Sequence, residues 1–278
     1  MKKKKYTGER LETHEQGEGM IEHLHRYAIV LDRCKAKVVL DIASGEGYGS
    51  NILAAVASKV TGVDLDTETI QLANEKYAAK RRNLEFIQGS ADNIPTGSGV
   101  FDIVVSFETI EHHDKHQEMM TEIKRVLKPG GLLIISSPDK LFYSDKPGTT
   151  NPFHVKELYK DEFRSLLTNH FKNVELYRQK SFFCSVITPD SRDARVKNIQ
   201  FFEGNYSTIS TDTGIESVYL VALASDDSFE GVDTSLFKDY NFIKNMRKRL
   251  ESSTRYKFGN LILNPIGFFK QKFASGKK

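Results

Sequence analysis

Residues 38–49, VVLDIASGEGYG, constrain the chain more tightly than any other stretch. The apolar run VVLDI is too short for a globular helix and reads as a buried strand. It passes through Ala43 and Ser44 into three glycines on alternate positions, Gly45, Gly47 and Gly49, after which the pattern turns helical. Strand, glycine turn and helix together open a βαβ unit. Glycine has no Cβ, so such a turn adopts left-handed torsions and lets a flat ligand lie against the backbone, while the first turn of the helix offers N–H groups without partners. The reading is a small-molecule site at the carboxyl end of a parallel strand.

The residues that follow extend the unit. VTGVDLD, residues 60–66, is a second buried strand ending in two acids, and an amphipathic helix starts near Thr67. An acid at the end of the second strand, roughly 20 residues past the glycines, is where nucleotide folds hold ribose hydroxyls. Asp66 suits the cap of the next helix, which leaves the ribose to Asp64. Residues 83–95 give a third strand and a polar turn, where Asp92 is placed to accept from an adenine amino group. FDIVVSFETIEHH (101–113) and RVLKPGGLLIISSP (125–138) supply a fourth strand and, after a Lys-Pro-Gly-Gly turn, a fifth. Residues 139–153 read as a loop, 156–171 as a helix, NVELYRQ as a strand and 216–225 as a closing strand, with 180–215 an irregular insertion. Strands alternating with helices predict an α/β, Rossmann-like, mainly parallel sheet. Before it, residues 19–33 form a helix with Ile21, Leu24, His25, Ala28, Ile29 and Leu31 on one face, bringing His23, Arg26 and Tyr27 near the mouth of the site.

Composition excludes several classes. Two cysteines, Cys34 and Cys184, are too few for a disulfide framework or a structural zinc site and fit a reducing, cytoplasmic setting. The basic start MKKKKY has no apolar stretch behind it, so no secretory signal is expected, and no run is long enough to span a membrane. A net charge of +3 is too small for wholesale nucleic-acid binding. Its distribution is uneven. Residues 241–278 hold ten Lys or Arg against one acid, Glu251, interleaved with Phe, Ile and Leu. Such a basic amphipathic tail suits peripheral contact with an anionic membrane, the competing reading being packing on the domain or in a homodimer. The expected division is an N-terminal cap at 1–36, a domain at 37–225 and the tail at 226–278.

VLDIASGEGYG, GVDLD, the Asp92 loop, FDIVVSFETIEH and LKPGGLLIIS, in that order and spacing, resemble the motif series of class I S-adenosylmethionine-dependent methyltransferases. The resemblance implies a seven-stranded sheet whose last strand is antiparallel. It also implies that Asp41 and the backbone of Ala43, Ser44, Gly45 and Gly47 hold the methionine part of S-adenosyl-L-methionine, Asp64 with Leu65 the ribose, and Asp92 with Asn93 the adenine. Ser44 departs from the Gly or Cys of many relatives, which is harmless if the backbone there is not left-handed. An NAD site is disfavoured, because the dinucleotide fingerprint needs a glycine where this chain has Ser50. The wider set YTGER, EHLHRYAIV, SFETIEHH and NPFHVKELYKDEF is similar to bacterial methyltransferases of surface-polysaccharide (O-antigen type) assembly, which implies a sugar or glycan acceptor.

Methyl transfer from a sulfonium is an in-line displacement, served by alignment and exclusion of water. A sugar hydroxyl is a poor nucleophile and gains from a positioned base. His112 and His154 are the two candidate bases, with Glu108 or Glu111 to orient them, and Arg26 is a candidate for the cofactor carboxylate. Adjacent side chains on one segment rarely converge, so the run Glu111, His112, His113, Asp114, His116 is not expected to hold a metal. Two other readings share the cofactor motifs: a small-molecule methyltransferase acting on a quinone or other metabolite, and a non-catalytic cofactor-binding subunit of a glycan assembly complex.

Overall fold

The computed structural model describes residues 11–13, 17–185, 187, 199–212, 216–239 and 242–263. Helices α1 (Glu18–Ala28) and α2 (Leu31–Cys34) lead into β1 (Val38–Ile42), α3 (Tyr48–Leu53), β2 (Lys59–Asp64), α4 (Thr67–Lys76) and β3 (Leu84–Gln88). Then come β4 (Phe101–Ser106), α5 (His116–Val126), β5 (Leu127–Pro138), α6 (Lys160–Thr168) and β6 (Asn173–Gln179). A hairpin of β7 (Phe201–Gly204) and β8 (Ile209–Asp212) precedes β9 (Tyr219–Ser225), and α7 (Phe242–Ser252) and α8 (Thr254–Leu263) follow. Among the described residues no helix is long and apolar enough to cross a membrane.

The sheet has seven strands in the order β3-β2-β1-β4-β5-β9-β6. β1 runs parallel to both β2 and β4, whereas β9 is antiparallel to β5 and β6. The implied seven-stranded sheet with an antiparallel last strand is therefore present. Chain order reverses between β1 and β4, and at such a switch point the loops leaving the two strands diverge and open a crevice.

Both faces of the sheet are covered, which is why its strands read as unbroken apolar runs. Successive side chains nevertheless serve different cores. Leu40, Ile42 and Val104 join α5 and α6 on one side, while Val39, Ile103 and Val105 join α1, α3 and α4 on the other. Helix α5 buries Met119, Met120, Ile123 and Val126 completely. Each such side chain removed from water stabilises by about 1.5–3 kcal/mol, so Ile123→Ala would cost about 2–5 kcal/mol.

Several elements differ from the sequence reading. The expected helix over 19–33 is broken after Ala28, so that Val30 and Cys34 both reach the core. The Lys-Pro-Gly-Gly turn lies inside β5: partners jump from Phe101 with Leu127 to Ile103 with Leu132, the register shift of a bulge, with Gly130 at φ 73°. Helix α6 starts at Lys160 rather than at 156, because Glu162 reaches back to the Tyr159 N–H at 2.9 Å and closes a capping box. Residues 139–153 include a π-helical turn at Leu141–Asp145, and the insertion carries the β7–β8 hairpin.

The tail divides. Residues 226–239 return to the domain, where Arg33 Nη2 donates to the Gly231 carbonyl at 2.7 Å and the Val232 N–H to Tyr177 Oη at 2.8 Å. Helices α7 and α8 continue past that docked stretch, with Met246 and Leu250 exposed. Residues 264–278 and the YTGER segment lie outside the described residues.

Candidate cofactor and acceptor site

The glycine loop is held by its own backbone and by two acids. Ala43, Gly45 and Gly47 have φ of 54°, 53° and 88°, while Ser44 between them is not left-handed. Ser44 thus needs no left-handed torsion, and the residue under torsional strain is Ala43, a strain that the sequence did not announce. Asp64 Oδ2 accepts from the Gly45 N–H at 2.9 Å and Oδ1 from the Asp66 N–H at 3.0 Å, tying β2 to the loop. Asp66 takes the helix cap, accepting from the Thr69 N–H at 2.8 Å.

Asp41 lies beneath the loop. Ser50 Oγ donates to it at 2.6 Å and the Tyr27 hydroxyl approaches at 3.3 and 3.4 Å. Burial pushes its carboxyl up to about 7, against those two donors. Ser50, which removed the dinucleotide fingerprint, thus has work of its own.

Above the loop opens a cavity of about 400 Å³. Of the residues expected to bind cofactor, Ala43, Ser44, Gly45, Asp64, Leu65 and Asp92 line it. Asp41, Gly47, Arg26 and Asn93 do not. Asp92 is already engaged, by Ser90 Oγ and by Lys115 Nζ at 2.5 Å, and this lysine first, then the serine, hold its carboxyl down to about 2. Sequence reasoning missed Leu11, Tyr48 and Lys115 on the wall, which His23 shares. Leu11 is brought there by Thr13, whose N–H donates to Glu46 Oε2 at 2.7 Å, and Lys76 pairs with the same glutamate. No local pattern announces a contact between the two ends of such a separation. His23 did carry a signal, since it lies in the histidine cluster before β1, and its ring nitrogen meets Tyr48 Oη at 2.8 Å.

At the far end the chain leaves β4 under strain. Glu108, with φ 51°, lines the cavity; its N–H donates to Ser136 Oγ at 3.0 Å, and that hydroxyl donates back to Glu108 Oε1 at 2.6 Å. Glu111 follows, 1% exposed, with Oε2 buried and unpartnered among the described residues. Burial first, and the Glu108 charge next, hold its carboxyl well above the usual carboxylate range. The Glu111 carbonyl accepts from the Val155 and Lys156 N–H groups at 2.8 and 3.1 Å, docking the NPFHVKEL segment against β4's exit. His112 and His154 thereby meet, ring centroids 5.2 Å apart at 84°.

The two histidines differ in access. His112 lines the cavity and His154 does not. His112 Nδ1 lies 3.1 Å from the Phe153 carbonyl, which can only accept, so Nδ1 carries the proton and Nε2 the lone pair. His154 is held on both sides, Nδ1 at 2.5 Å from Glu157 and Nε2 at 2.9 Å from Asn151 Nδ2, with Tyr143 stacked on its ring. The acid that orients His154 is Glu157; neither Glu108 nor Glu111, the expected orienters, is its partner in that bond.

Arg26 is 1% exposed. Nη1 donates to Gln179 Oε1 at 2.6 Å and lies 3.8 Å from Glu108 Oε1, and the guanidinium sits 5.0 Å from the Tyr219 ring centroid. Nε and Nη2 have no partner among the described residues.

With this geometry in hand, comparison with known proteins gives the class. Residues 40–135, from β1 to β5, match a family model described as a methyltransferase domain. A protein of Mycobacterium tuberculosis named as a probable S-adenosylmethionine-dependent methyltransferase is 36% identical over 142 residues, covering 51% of this chain and 50% of that one. A fatty-acid O-methyltransferase of Mycolicibacterium smegmatis is 31% identical over 122 residues, 41% of this chain and 44% of its own. A demethylmenaquinone methyltransferase of Chlorobaculum tepidum is 35% identical over 101 residues, 36% and 40% of the two chains. The chain spans about half the length of the first of these. The YcgJ protein of Bacillus subtilis superposes with a TM-score of 0.54 at 18% identity, over 74% of this chain and all of that one, and so shares the fold. The region from β1 to β5 is thus similar to the domains of S-adenosylmethionine-dependent methyltransferases.

The residues present fit that cofactor. A Cβ built on Gly45 meets nothing within 4 Å, so the loop there faces open space, and Asp64 stands on the same wall.

Proposed function

We propose that the protein moves a methyl group from S-adenosylmethionine to a hydroxyl oxygen held beside His112. One observation carries this: Gly45, Asp64 and His112 line a single cavity, so cofactor cradle and proton acceptor share one space. The cofactor supplies an electrophilic methyl on a positively charged sulfur. The chain's part is to hold and align. The backbone at Ala43, Ser44 and Gly45 takes the methionine portion, Asp64 the ribose and the Asp92 loop the adenine. Arg26 takes the carboxylate, supported by its two buried N–H groups without partner beside the cavity residue Glu108. His112 Nε2, the nitrogen with the lone pair, draws the acceptor's proton, and His154 braces its ring.

The acceptor we favour is a sugar hydroxyl of a surface glycan or its precursor. What supports it is the NPFHVKEL motif, which forms the loop docked on Glu111. The relatives' printed names, fatty acid and demethylmenaquinone among them, favour a second reading, a quinone or other small apolar metabolite as acceptor. Lys244, Arg247 and Lys248 with exposed Met246 and Leu250 on α7 support peripheral membrane contact, where a lipid-linked acceptor of either kind would be met.

Transfer of radiolabelled methyl into sugar nucleotides, oligosaccharides, fatty acids and reduced quinones tests these readings together. Transfer into a saccharide is the expected result, falling about 10²–10⁴-fold in His112→Ala. Transfer confined to the apolar acceptors would overturn the glycan reading. Cofactor binding with no transfer to any of them would favour a non-catalytic subunit.

A further inference from the structure

We propose that Glu111, His112 and His154 form a binding site for one divalent first-row transition-metal ion. Sequence spacing argued against a metal because neighbours on one segment diverge. The group brought together here is a different one, since 41 residues separate His112 from the segment carrying its carbonyl partner Phe153 and, next to it, His154. One ligand atom from each of Glu111, His112 and His154 lies within 4.8 Å of the others.

Three observations point to a cation rather than to an ordinary polar cluster. First, Glu111 keeps a buried oxygen without a partner, although it is 1% exposed. A buried carboxylate oxygen left so is costly unless a cation meets it. Second, both histidines have the orientation of metal ligands. Each places Nδ1 against an oxygen acceptor, His112 on the Phe153 carbonyl and His154 on the Glu157 carboxylate, so on each ring the lone pair is on Nε2, where that of His154 accepts from the Asn151 amide at 2.9 Å. The outer contacts that fix the tautomer and orientation of a metal-bound imidazole are therefore built in. Third, the spacing is close to what an ion needs. Glu111 Oε1 and His112 Nε2 are 3.8 Å apart, whereas two ligands on a tetrahedral ion with bonds of ~2.1 Å are ~3.4 Å apart. An ion would draw this pair together by a few tenths of an ångström, would bring in the third ligand atom, which lies within 4.8 Å of both, and would displace the Asn151 amide from His154 Nε2.

Two imidazoles and one carboxylate favour Zn²⁺, Co²⁺, Fe²⁺ or Mn²⁺ over the hard ions Mg²⁺ and Ca²⁺, and three protein ligands leave positions open. His112 is the ligand that lines the cavity, so the open positions are available to the acceptor. For its catalytic consequence this inference rests on the methyl-transfer reading; ion binding does not. In that reaction the ion polarises the acceptor hydroxyl. The proton leaves to water, the oxygen pair forms the C–O bond, and the C–S pair stays on sulfur. With the ion bound, His112 acts as a ligand rather than as the direct base, and water is the group that takes the proton.

The test uses the full chain, stripped with a chelator and dialysed, titrated with Co²⁺ followed by its visible absorption, and with Zn²⁺, Mn²⁺ and Mg²⁺ by calorimetry. One equivalent of Co²⁺ with a nitrogen-rich spectrum is expected, Mg²⁺ binding more weakly. Glu111→Gln and His154→Gln should each weaken Co²⁺ binding by more than tenfold, and Glu157→Gln, through loss of His154 orientation, by about 10–100-fold. His170→Gln, half-buried just past the end of α6 and outside the cluster, should not change it. If Glu111→Gln fails to fold, His154→Gln and Glu157→Gln decide. Absence of saturable Co²⁺ binding, or binding unchanged in those two variants, overturns the site. Loss of methyl transfer with ion binding intact would instead count against the functional reading.

Discussion

Gly45 and Gly47 stand two residues apart in one loop, both left-handed, and their replacement by alanine separates fold from cofactor. At Gly47 a Cβ would lie 2.6 Å from the Phe86 ring and 3.1 Å from Ala73. At Gly45 it would meet nothing. Alanine in the left-handed region costs ~1–2 kcal/mol, partly offset by ~0.4–1 kcal/mol from the stiffer unfolded chain. Gly45→Ala should therefore lose about 1 kcal/mol of stability. Gly47→Ala bears the same term plus ~1–3 kcal/mol of overpacking, about 2–4 kcal/mol in all. Cofactor affinity should follow the opposite order. The open space at Gly45 is where the proposed function puts the methionine portion, so a methyl group there should weaken S-adenosylmethionine binding at least about tenfold, equivalent to ~1.4 kcal/mol. Urea unfolding gives the stabilities, and calorimetric titration at a temperature where both variants are folded gives the affinities. Gly45→Ala binding the cofactor as tightly as the parent chain would refute the placement of the ligand on this loop. Equal stability losses in the two variants would refute the assigned role of Phe86.

Two further outcomes follow from the charge arrangement. Burial raises the Asp41 carboxyl to about 7, and that of Glu22 likewise. Between pH ~4 and ~7 the folded chain thus holds protons that the unfolded chain releases, so stability should fall as pH rises through that window. Asp41→Asn keeps an acceptor for Ser50 and should make the decline shallower in urea unfolding across the same range; an unchanged slope would exclude Asp41 as a source. For the tail, full-length protein should co-sediment with anionic vesicles more than a chain ending at Asp239, at ~1 kcal/mol per basic residue near the surface, and equal pelleting would remove the membrane contact.

The parallel sheet, the glycine loop and the acids at the ends of β2 and β3 were legible in the sequence, because each is set by a local pattern. Unbroken apolar runs report strands buried on both faces, and alternate glycines report a loop that takes positive φ. The assignment of Asp66 to the helix cap and Asp64 to the loop rested on spacing alone, and the hydrogen bonds agree with it. Elements were misjudged where tertiary contacts override periodicity. The helix over 19–33 breaks to bury Val30 and Cys34, and α6 starts late because the Val155 and Lys156 N–H groups are spent on the Glu111 carbonyl and Glu162 caps the helix at Tyr159.

Which side chains face the cavity was decided by the tertiary structure. Asp41 and Asp64 end neighbouring strands and look equivalent as letters, yet Asp41 lies under the loop with Ser50 and Tyr27, and Asp64 lines the cavity. His112 and His154 were equal candidates in the sequence. The fold sets them against each other, admits one to the cavity and ties the other to Glu157 and Asn151. The physical reason is range. Backbone torsion and burial pattern are determined within a few residues of chain, whereas convergence of a buried carboxylate with two imidazoles depends on a loop folding back across the strand ends.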